Sequence, residues 1–214
     1  MSDHLYPNLD MFADAGATPS GHAFKRVEMP DADVILFKCF FDVSTGDAYF
    51  KELNENAAWK QEKIKLYGRR IDLPRLTAWY GDKGKSYRYS GITVSPEPWT
   101  PILLAIKQAI EAVSGIRFNS VLLNKYRTER DSVAWHSDDE LELGRNPVIG
   151  SVSFGEARAF QFKHKTRGLR EQIILSHGSY LIMRGTTQHH WLHQIPKQTA
   201  LRGARINLTF RVIQ

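Results

Sequence analysis

The sequence predicts an α+β fold that is mostly β: a double-stranded β-helix, or jelly roll, buttressed by N-terminal helices. Three observations carry that expectation. Apolar residues at helical spacing fall in the front half of the chain. After residue 117 the chain breaks into short apolar runs separated by Gly, Pro, Asn or charged clusters. The last of these runs alternates apolar and polar residues, as a strand with two unlike faces must.

Residues 1–30 are polar, contain Gly16, Pro19, Gly21 and Pro30, and show no sustained periodicity, so they are expected as a flexible leader to one domain spanning 31–214. Val34–Phe41 is an apolar run of strand length. Ser44 and Thr45 offer N-caps for a helix carrying Phe50, Leu53 and Ala57. Residues 62–91 mix Lys and Arg with Tyr67, Trp79, Tyr80, Tyr87 and Tyr89. Pro98 or Pro101 opens the clearest helix, with Trp99, Ile102, Ile106, Ala109, Ile110 and Val113 as its core stripe and Gly115 as its stop. Strands are then expected at 119–126, 148–154, 158–163, 172–175, 179–184 and 205–213.

Of the 214 residues, 42% are hydrophobic, enough for a real core. No apolar run approaches the ~20 residues that cross a bilayer, and the N-terminus lacks the basic and apolar regions of a secretory signal. The lone Cys39 excludes an internal disulfide and a Cys-rich zinc site. These features fit an intracellular setting, cytoplasmic in a bacterium or nuclear in a eukaryote, with no membrane partner. The net charge of +6 favours polyanionic partners, although a basic domain without any such role would carry the same charge.

The candidate chemistry lies in His136-Ser137-Asp138, His193, Arg205 and Arg211. In an extended segment, positions two apart share a face, so His136 and Asp138 can reach one metal from a single strand end. A later strand can return His193 to them. Two imidazoles and one carboxylate form the open-sided ligand set of non-haem Fe(II) oxygenases, and a zinc hydrolase could use the same three. A His-x-Asp pair also occurs by chance. His4 and His22 read as solvated leader residues, and His164 and His177 as structural or surface residues.

The last strand sharpens the choice. Ile206, Leu208, Phe210 and Val212 share one face, and Arg205, Asn207, Thr209 and Arg211 share the other. That polar face either meets water or lines a barrel. In a barrel the two arginines stand about 20 Å apart along the strand, and their reach leaves a gap matching a five-carbon diacid. Asn124 and Tyr126, two apart on the strand before, add an amide and a phenol as carboxylate donors.

These residues together resemble the AlkB family of Fe(II)- and 2-oxoglutarate-dependent nucleic-acid dealkylases. The resemblance rests on Asn124-Lys-Tyr126, His136-Ser-Asp138-Asp139-Glu140, Ser151-Val-Ser-Phe-Gly155, His190-Trp-Leu-His193 and Arg205-Ile-Asn-Leu-Thr-Phe-Arg211, and it runs from about residue 60 to the C-terminus. Within the family the chain is most similar to the branch that repairs duplex DNA. The resemblance implies His136, Asp138 and His193 as Fe(II) ligands. It implies Asn124, Tyr126, Arg205, Thr209 and Arg211 as 2-oxoglutarate contacts, with Arg205 at the distal carboxylate and Arg211 at the metal end. Dioxygen is the second co-substrate.

The resemblance further implies that residues 62–91 form a nucleotide-recognition lid. Tyr67, Gly68 and Arg69 would form the tip of its hairpin, with Tyr67 filling the gap left by a flipped base. Tyr87, Arg88 and Tyr89 would be the stretch that stacks on that base, Asp139 would contact it, and Arg75 would lie near the orphaned strand. Lys63, Lys65, Arg69, Arg70 and Arg75 would meet phosphates. The implied reaction is oxidative demethylation of 1-methyladenine and 3-methylcytosine in duplex or single-stranded DNA by a monomer, releasing formaldehyde and succinate. Two departures bear on duplex preference. Lys197-Gln-Thr199 replaces a basic run, and Tyr67 and Tyr89 replace phenylalanines. The alternatives are a 2-oxoglutarate oxygenase acting on RNA or protein, and a catalytically silent jelly-roll binding module.

Overall fold

Turn chemistry and side-chain periodicity set most element boundaries. The computed structural model describes residues 21–66, 68–84, 87–89 and 92–214, with backbone alone for 65, 66, 87–89 and 92–94. In chain order the elements are β1 (Lys25–Arg26), β2 (Asp33–Phe37), α1 (Val43–Asn56), β3 (Lys63–Leu66), β4 (Arg69–Asp72), β5 (Leu76–Gly81), β6 (Tyr87–Tyr89) and β7 (Ile92–Val94). They continue with α2 (Pro101–Ser114), β8 (Ser120–Tyr126), β9 (Val133–His136), β10 (Ile149–Gly155), β11 (Arg158–His164), β12 (Arg170–Leu175) and β13 (Ser179–Arg184). The one-turn helix α3 (Thr187–His190), β14 (Trp191–Ile195) and β15 (Arg205–Arg211) complete the chain.

Both long helices begin at side-chain caps. Thr100 caps α2 by accepting from the Leu103 N–H, Pro101 takes the first helical position, and Gly115 stops the helix at φ 69°. Trp99 therefore lies just outside the helix. Helix α1 is capped by Asp42 rather than by Ser44 or Thr45. The Asp42 carboxylate accepts from the Thr45 N–H at 2.9 Å and from the Thr45 hydroxyl at 2.7 Å, so Thr45 serves as donor to the cap. The apolar run from Val34 ends as a strand at Phe37, because the N–H groups of Phe40 and Phe41 both turn to the Gly178 carbonyl.

Seven strands form the larger sheet, in the order β1-β2-β13-β10-β15-β8-β5, and four form the smaller, β12-β11-β14-β9. Pairs β3–β4 and β6–β7 stand apart as hairpins. One apolar cluster joins α2 and α1 to the larger sheet through Leu103, Ile106, Ile110, Leu53, Leu123, Leu208 and Phe210. A second fills the space between the sheets with Leu36, Leu181, Phe160, Phe162, Trp191 and Ile195. Fully burying each of these side chains contributes roughly 1.5–3 kcal/mol. This is the helix-buttressed jelly roll that the sequence predicts.

Three expectations need correction. Residues 25–30 are not loose: Lys25 and Arg26 pair with Leu36 and Ile35, Val27 and Met29 are buried, and the Trp191 indole donates to the Pro30 carbonyl. Segment 62–91 is not one continuous lid, because β5 within it pairs with β8 over six residues from Leu76 to Gly81. Strands β9 and β14, which sequence patterning leaves unmarked, are both present. Residues 1–20 lie outside the described residues. Among the described residues, no helix is long and apolar enough to cross a membrane.

Candidate metal and co-substrate site

Strands β9 and β14 run antiparallel with His136 directly opposite His193, and their ring centroids are 4.3 Å apart. The chain leaves β9 at Ser137, and the next residue, Asp138, is buried against the same spot. The ligand atoms of His136, Asp138 and His193 all lie within 4.8 Å of one another. Local contacts fix each of them. His136 Nδ1 is 2.8 Å from the Ala134 carbonyl, which accepts a hydrogen bond from the Nδ1–H and so leaves the Nε2 lone pair available. The His193 ring stacks on Phe160 at 5.2 Å. The backbone N–H of Asp138 donates to Gln188 Oε1 at 3.0 Å, and Arg211 Nη2 donates to Asp138 Oδ1 at 2.6 Å.

The protonation states suit a divalent cation. Burial pushes the Asp138 carboxyl up, but Arg211, His193 and His136 together hold it down at about 2. Burial, and then the neighbouring His136, depress His193 to about 3. At neutral pH the site therefore holds an ionised carboxylate beside a neutral imidazole, as metal binding requires. For the same reason the 3.9 Å approach of His193 Nε2 to Asp138 Oδ2 is not an ion pair.

A second group of possible ligands, Asp31, His164 and His190, also falls within 4.8 Å. Its hydrogen bonds argue against a metal. His164 Nδ1 accepts from the backbone N–H groups of Thr166 and Arg167, which puts the ring proton on Nε2, facing Asp31 at 3.4 Å. Arg167 already pairs with the same carboxylate oxygen at 3.1 Å.

Strand β15 settles which surface its polar residues face: every residue from Arg205 to Phe210 is buried. The polar residues point into the space between the sheets, where β10 and β8 supply partners in register. Asn207 lies opposite both Asn124 and Ser153, and Arg205 lies opposite Tyr126. Arg205 is 1% exposed; its Nη2 donates to Ser153 Oγ at 2.9 Å, and its guanidinium stands 5.2 Å from the centroid of the Tyr126 ring. Burial draws this guanidinium down to about 10, so it remains a cation at neutral pH. Among the described residues, its Nε and Nη1 have no hydrogen-bond partner. A buried cation with two unmet donors is an unfavourable arrangement by itself and a socket for a carboxylate. The residues present thus fit a 2-oxo diacid beside a metal.

The remaining expected contacts fall unevenly. Asn124 Oδ1 accepts from Arg75 Nε at 2.7 Å, which leaves the Asn124 amide nitrogen as the free donor. Arg75, expected near an orphaned strand, turns inward and also donates to the Ser132 carbonyl at 3.3 Å. The Thr209 hydroxyl donates to Asn207 Oδ1 at 3.1 Å, so its proton is engaged within the protein. Asp139 is exposed next to the site, where Ser137 Oγ and Lys165 Nζ both reach its Oδ2.

On the hairpin β3–β4, Leu66 and Arg69 are register partners, Gly68 has φ 79°, and Arg69 is exposed. Tyr67 and the side chains of Tyr87, Arg88 and Tyr89 lie outside the described residues. Sequence reasoning did not single out Gln188 or Lys165. Neither carries a periodic or motif signal, since the contacts that tie each to the site come from residues far along the chain.

Comparison with known proteins places this geometry. A family model described as the 2OG-Fe(II) oxygenase superfamily matches residues 33–211. The chain is 46% identical over 194 residues to the alpha-ketoglutarate-dependent dioxygenase alkB homolog 3 of Bos taurus, covering 84% of this chain and 66% of that one. The chain thus spans just under two thirds of that relative. It is 37% identical over 188 residues to the DNA oxidative demethylase ALKBH2 of Mus musculus, covering 83% of this chain and 79% of that one. The solved structure of OsALKBH1 shares the fold, with a TM-score of 0.58 at 19% identity over 88% of this chain and 99% of that one. The matched span, which includes all three candidate metal ligands and both site arginines, shows that the chain belongs to the 2OG-Fe(II) oxygenase superfamily, among its AlkB homologues.

Proposed function

We propose that this protein removes N-methyl groups from alkylated DNA bases, with 1-methyladenine and 3-methylcytosine as substrates and 2-oxoglutarate and dioxygen as co-substrates. The observation that carries the co-substrate is the buried Arg205, whose unpaired donors share the sheet interior with the Arg211–Asp138 pair. The DNA substrate is supported by the name of the ALKBH2 relatives, by the net charge of +6 and by the exposed cations Arg69 and Arg70 on the β3–β4 hairpin.

His136, Asp138 and His193 would hold the ferrous ion, and Arg205, with the free amide of Asn124, would take the carboxylate of the diacid far from it. When bound, the ion supplies the oxidation: one oxygen atom of dioxygen goes to 2-oxoglutarate, giving succinate and carbon dioxide, and the other turns the N–CH3 of the lesion into N–CH2OH. The hydroxymethyl group then leaves as formaldehyde, and the nitrogen regains the lone pair or proton it had before alkylation. The chain contributes no nucleophile. Arg211 keeps Asp138 oriented, and Phe160 seats His193. Asp139, next to the metal carboxylate, would favour a base that alkylation has made cationic.

The test is to incubate the protein anaerobically with Fe(II) and 2-oxoglutarate, admit air, and assay formaldehyde from oligonucleotides bearing 1-methyladenine or 3-methylcytosine as duplex, single-stranded and RNA versions. Formaldehyde from the DNA versions is expected. Release from the RNA version alone would replace the DNA reading. Consumption of 2-oxoglutarate with no formaldehyde from any of them would move the substrate outside nucleic acids.

A further inference from the structure

We propose that Lys165 sets how strongly the base site prefers a cationic lesion, by competing with the lesion for Asp139; the inference rests on the base-demethylase reading above. Lys165 follows β11, and its backbone N–H is fixed to the His190 carbonyl at 2.8 Å. Its Nζ reaches Asp139 Oδ2 at 3.1 Å and the Gln188 carbonyl at 2.9 Å. Gln188 is the residue whose side-chain oxygen receives the Asp138 N–H. One ammonium therefore bridges the turn carrying the proposed base-contacting carboxylate and the residue that positions the metal carboxylate.

The consequence is electrostatic. With Lys165 beside it, Asp139 presents no net charge. A cationic base must either displace the ammonium or stay near it, and both options weaken its attraction to Asp139. A neutral base meets neither cost. The arrangement permits exchange because each group keeps a second partner. Ser137 Oγ donates to the same Asp139 oxygen at 2.9 Å, so Asp139 stays oriented when Lys165 withdraws. Lys165 retains the Gln188 carbonyl, and its flexible stem allows it to swing. The Lys165 side chain is 29% exposed and that of Asp139 46%, so solvent reduces the pairing to a modest one.

The experiment compares 3-methylcytosine, a cation, with 3-methylthymine, its neutral counterpart carrying the same N3 methyl group, in one oligonucleotide context. The readout is the ratio of kcat/KM for the cationic over the neutral lesion. This ratio is taken within one preparation and does not depend on the fraction of folded enzyme. Lys165→Met is expected to raise the ratio by about two- to fivefold, the size of a half-exposed ion pair. Lys165→Arg, which keeps the charge, is expected to leave it near the wild-type value. In an Asp139→Asn background, Lys165→Met should no longer move the ratio.

A ratio that fails to rise in Lys165→Met, or that rises equally without Asp139, overturns the inference while leaving the demethylase reading intact. Absence of formaldehyde from both lesions in the wild-type protein overturns both.

Discussion

Arg211 Nη2 lies 2.6 Å from Asp138 Oδ1, and this contact ties the last strand to the turn after β9. The Arg211 side chain is 17% exposed and that of Asp138 is 4% exposed, so the pair works in a weakly screened setting. It occupies one carboxylate oxygen and leaves the other, Oδ2, on the side of His193. A candidate ligand tethered in this way would enter coordination with its rotamer already chosen.

Arg211→Met should therefore weaken metal binding without removing a ligand. Loss of a group that orients a ligand typically costs 10–100-fold in metal affinity, and a drop in that range is expected here. Titration with Mn(II) under anaerobic conditions, followed by electron paramagnetic resonance, measures it. An unchanged affinity would mean that Asp138 is positioned by its backbone alone.

Arg205 gives a prediction with two opposite signs. Its buried Nε and Nη1 have no partner among the described residues. Arg205→Met removes a buried charge that has no ion-pair partner among the described residues, and apolar replacement of buried charged groups is often neutral or stabilising. The protein without co-substrate should then melt at the same temperature as wild type or higher. Added 2-oxoglutarate should raise the Tm of wild type and leave the variant unmoved, because ligand stabilisation requires binding to the folded state. Differential scanning fluorimetry with and without 2-oxoglutarate reads both signs. A variant that still responds to 2-oxoglutarate would dissociate Arg205 from the diacid.

Arg75 tests the neighbouring amide. Its Nε holds Asn124 Oδ1 at 2.7 Å and so decides which end of the Asn124 amide faces the site. Without that bond the amide can flip and present oxygen to a carboxylate. Arg75→Met should raise the KM for 2-oxoglutarate by about tenfold, the scale of one charged hydrogen bond, with a smaller change in kcat. If only the affinity for oligonucleotide falls, Arg75 belongs to the substrate and not to the diacid.

The features that sequence could and could not reveal follow a physical division. The α2 stripe and the alternation of β15 are local patterns, and the structure realises both. Whether the polar face of β15 met water or a barrel was undecidable locally, because the answer depends on Ser151 and Ser153 of β10 standing opposite Thr209 and Asn207. Strands β9 and β14 are four and five residues long and rich in histidine and tryptophan, and their extended shape comes from pairing with each other and with β11. Residues 25–30 look like a leader because they are polar, yet β2 and the Trp191 indole order them from a distance. The three candidate ligands were legible because their spacing is itself the chemistry; the groups that aim them were not.

Gln188 is the clearest of those aiming groups. It is 1% exposed, its Oε1 accepts from the Asp138 N–H at 3.0 Å, and its Nε2 faces Met183 Sδ at 3.7 Å. Gln188→Leu nearly conserves volume and strands the Asp138 N–H without an acceptor, which costs roughly 1–3 kcal/mol. In a chain of this length each kcal/mol lowers the Tm by about 2–4 °C. Lost stability alone would leave metal affinity intact at a temperature where the variant is fully folded. A positioning role predicts that affinity for Mn(II) falls at that temperature as well, because the freed backbone no longer holds Asp138 at the angle from which it meets His136 and His193. A variant that melts early but binds Mn(II) like wild type would reduce Gln188 to a packing residue.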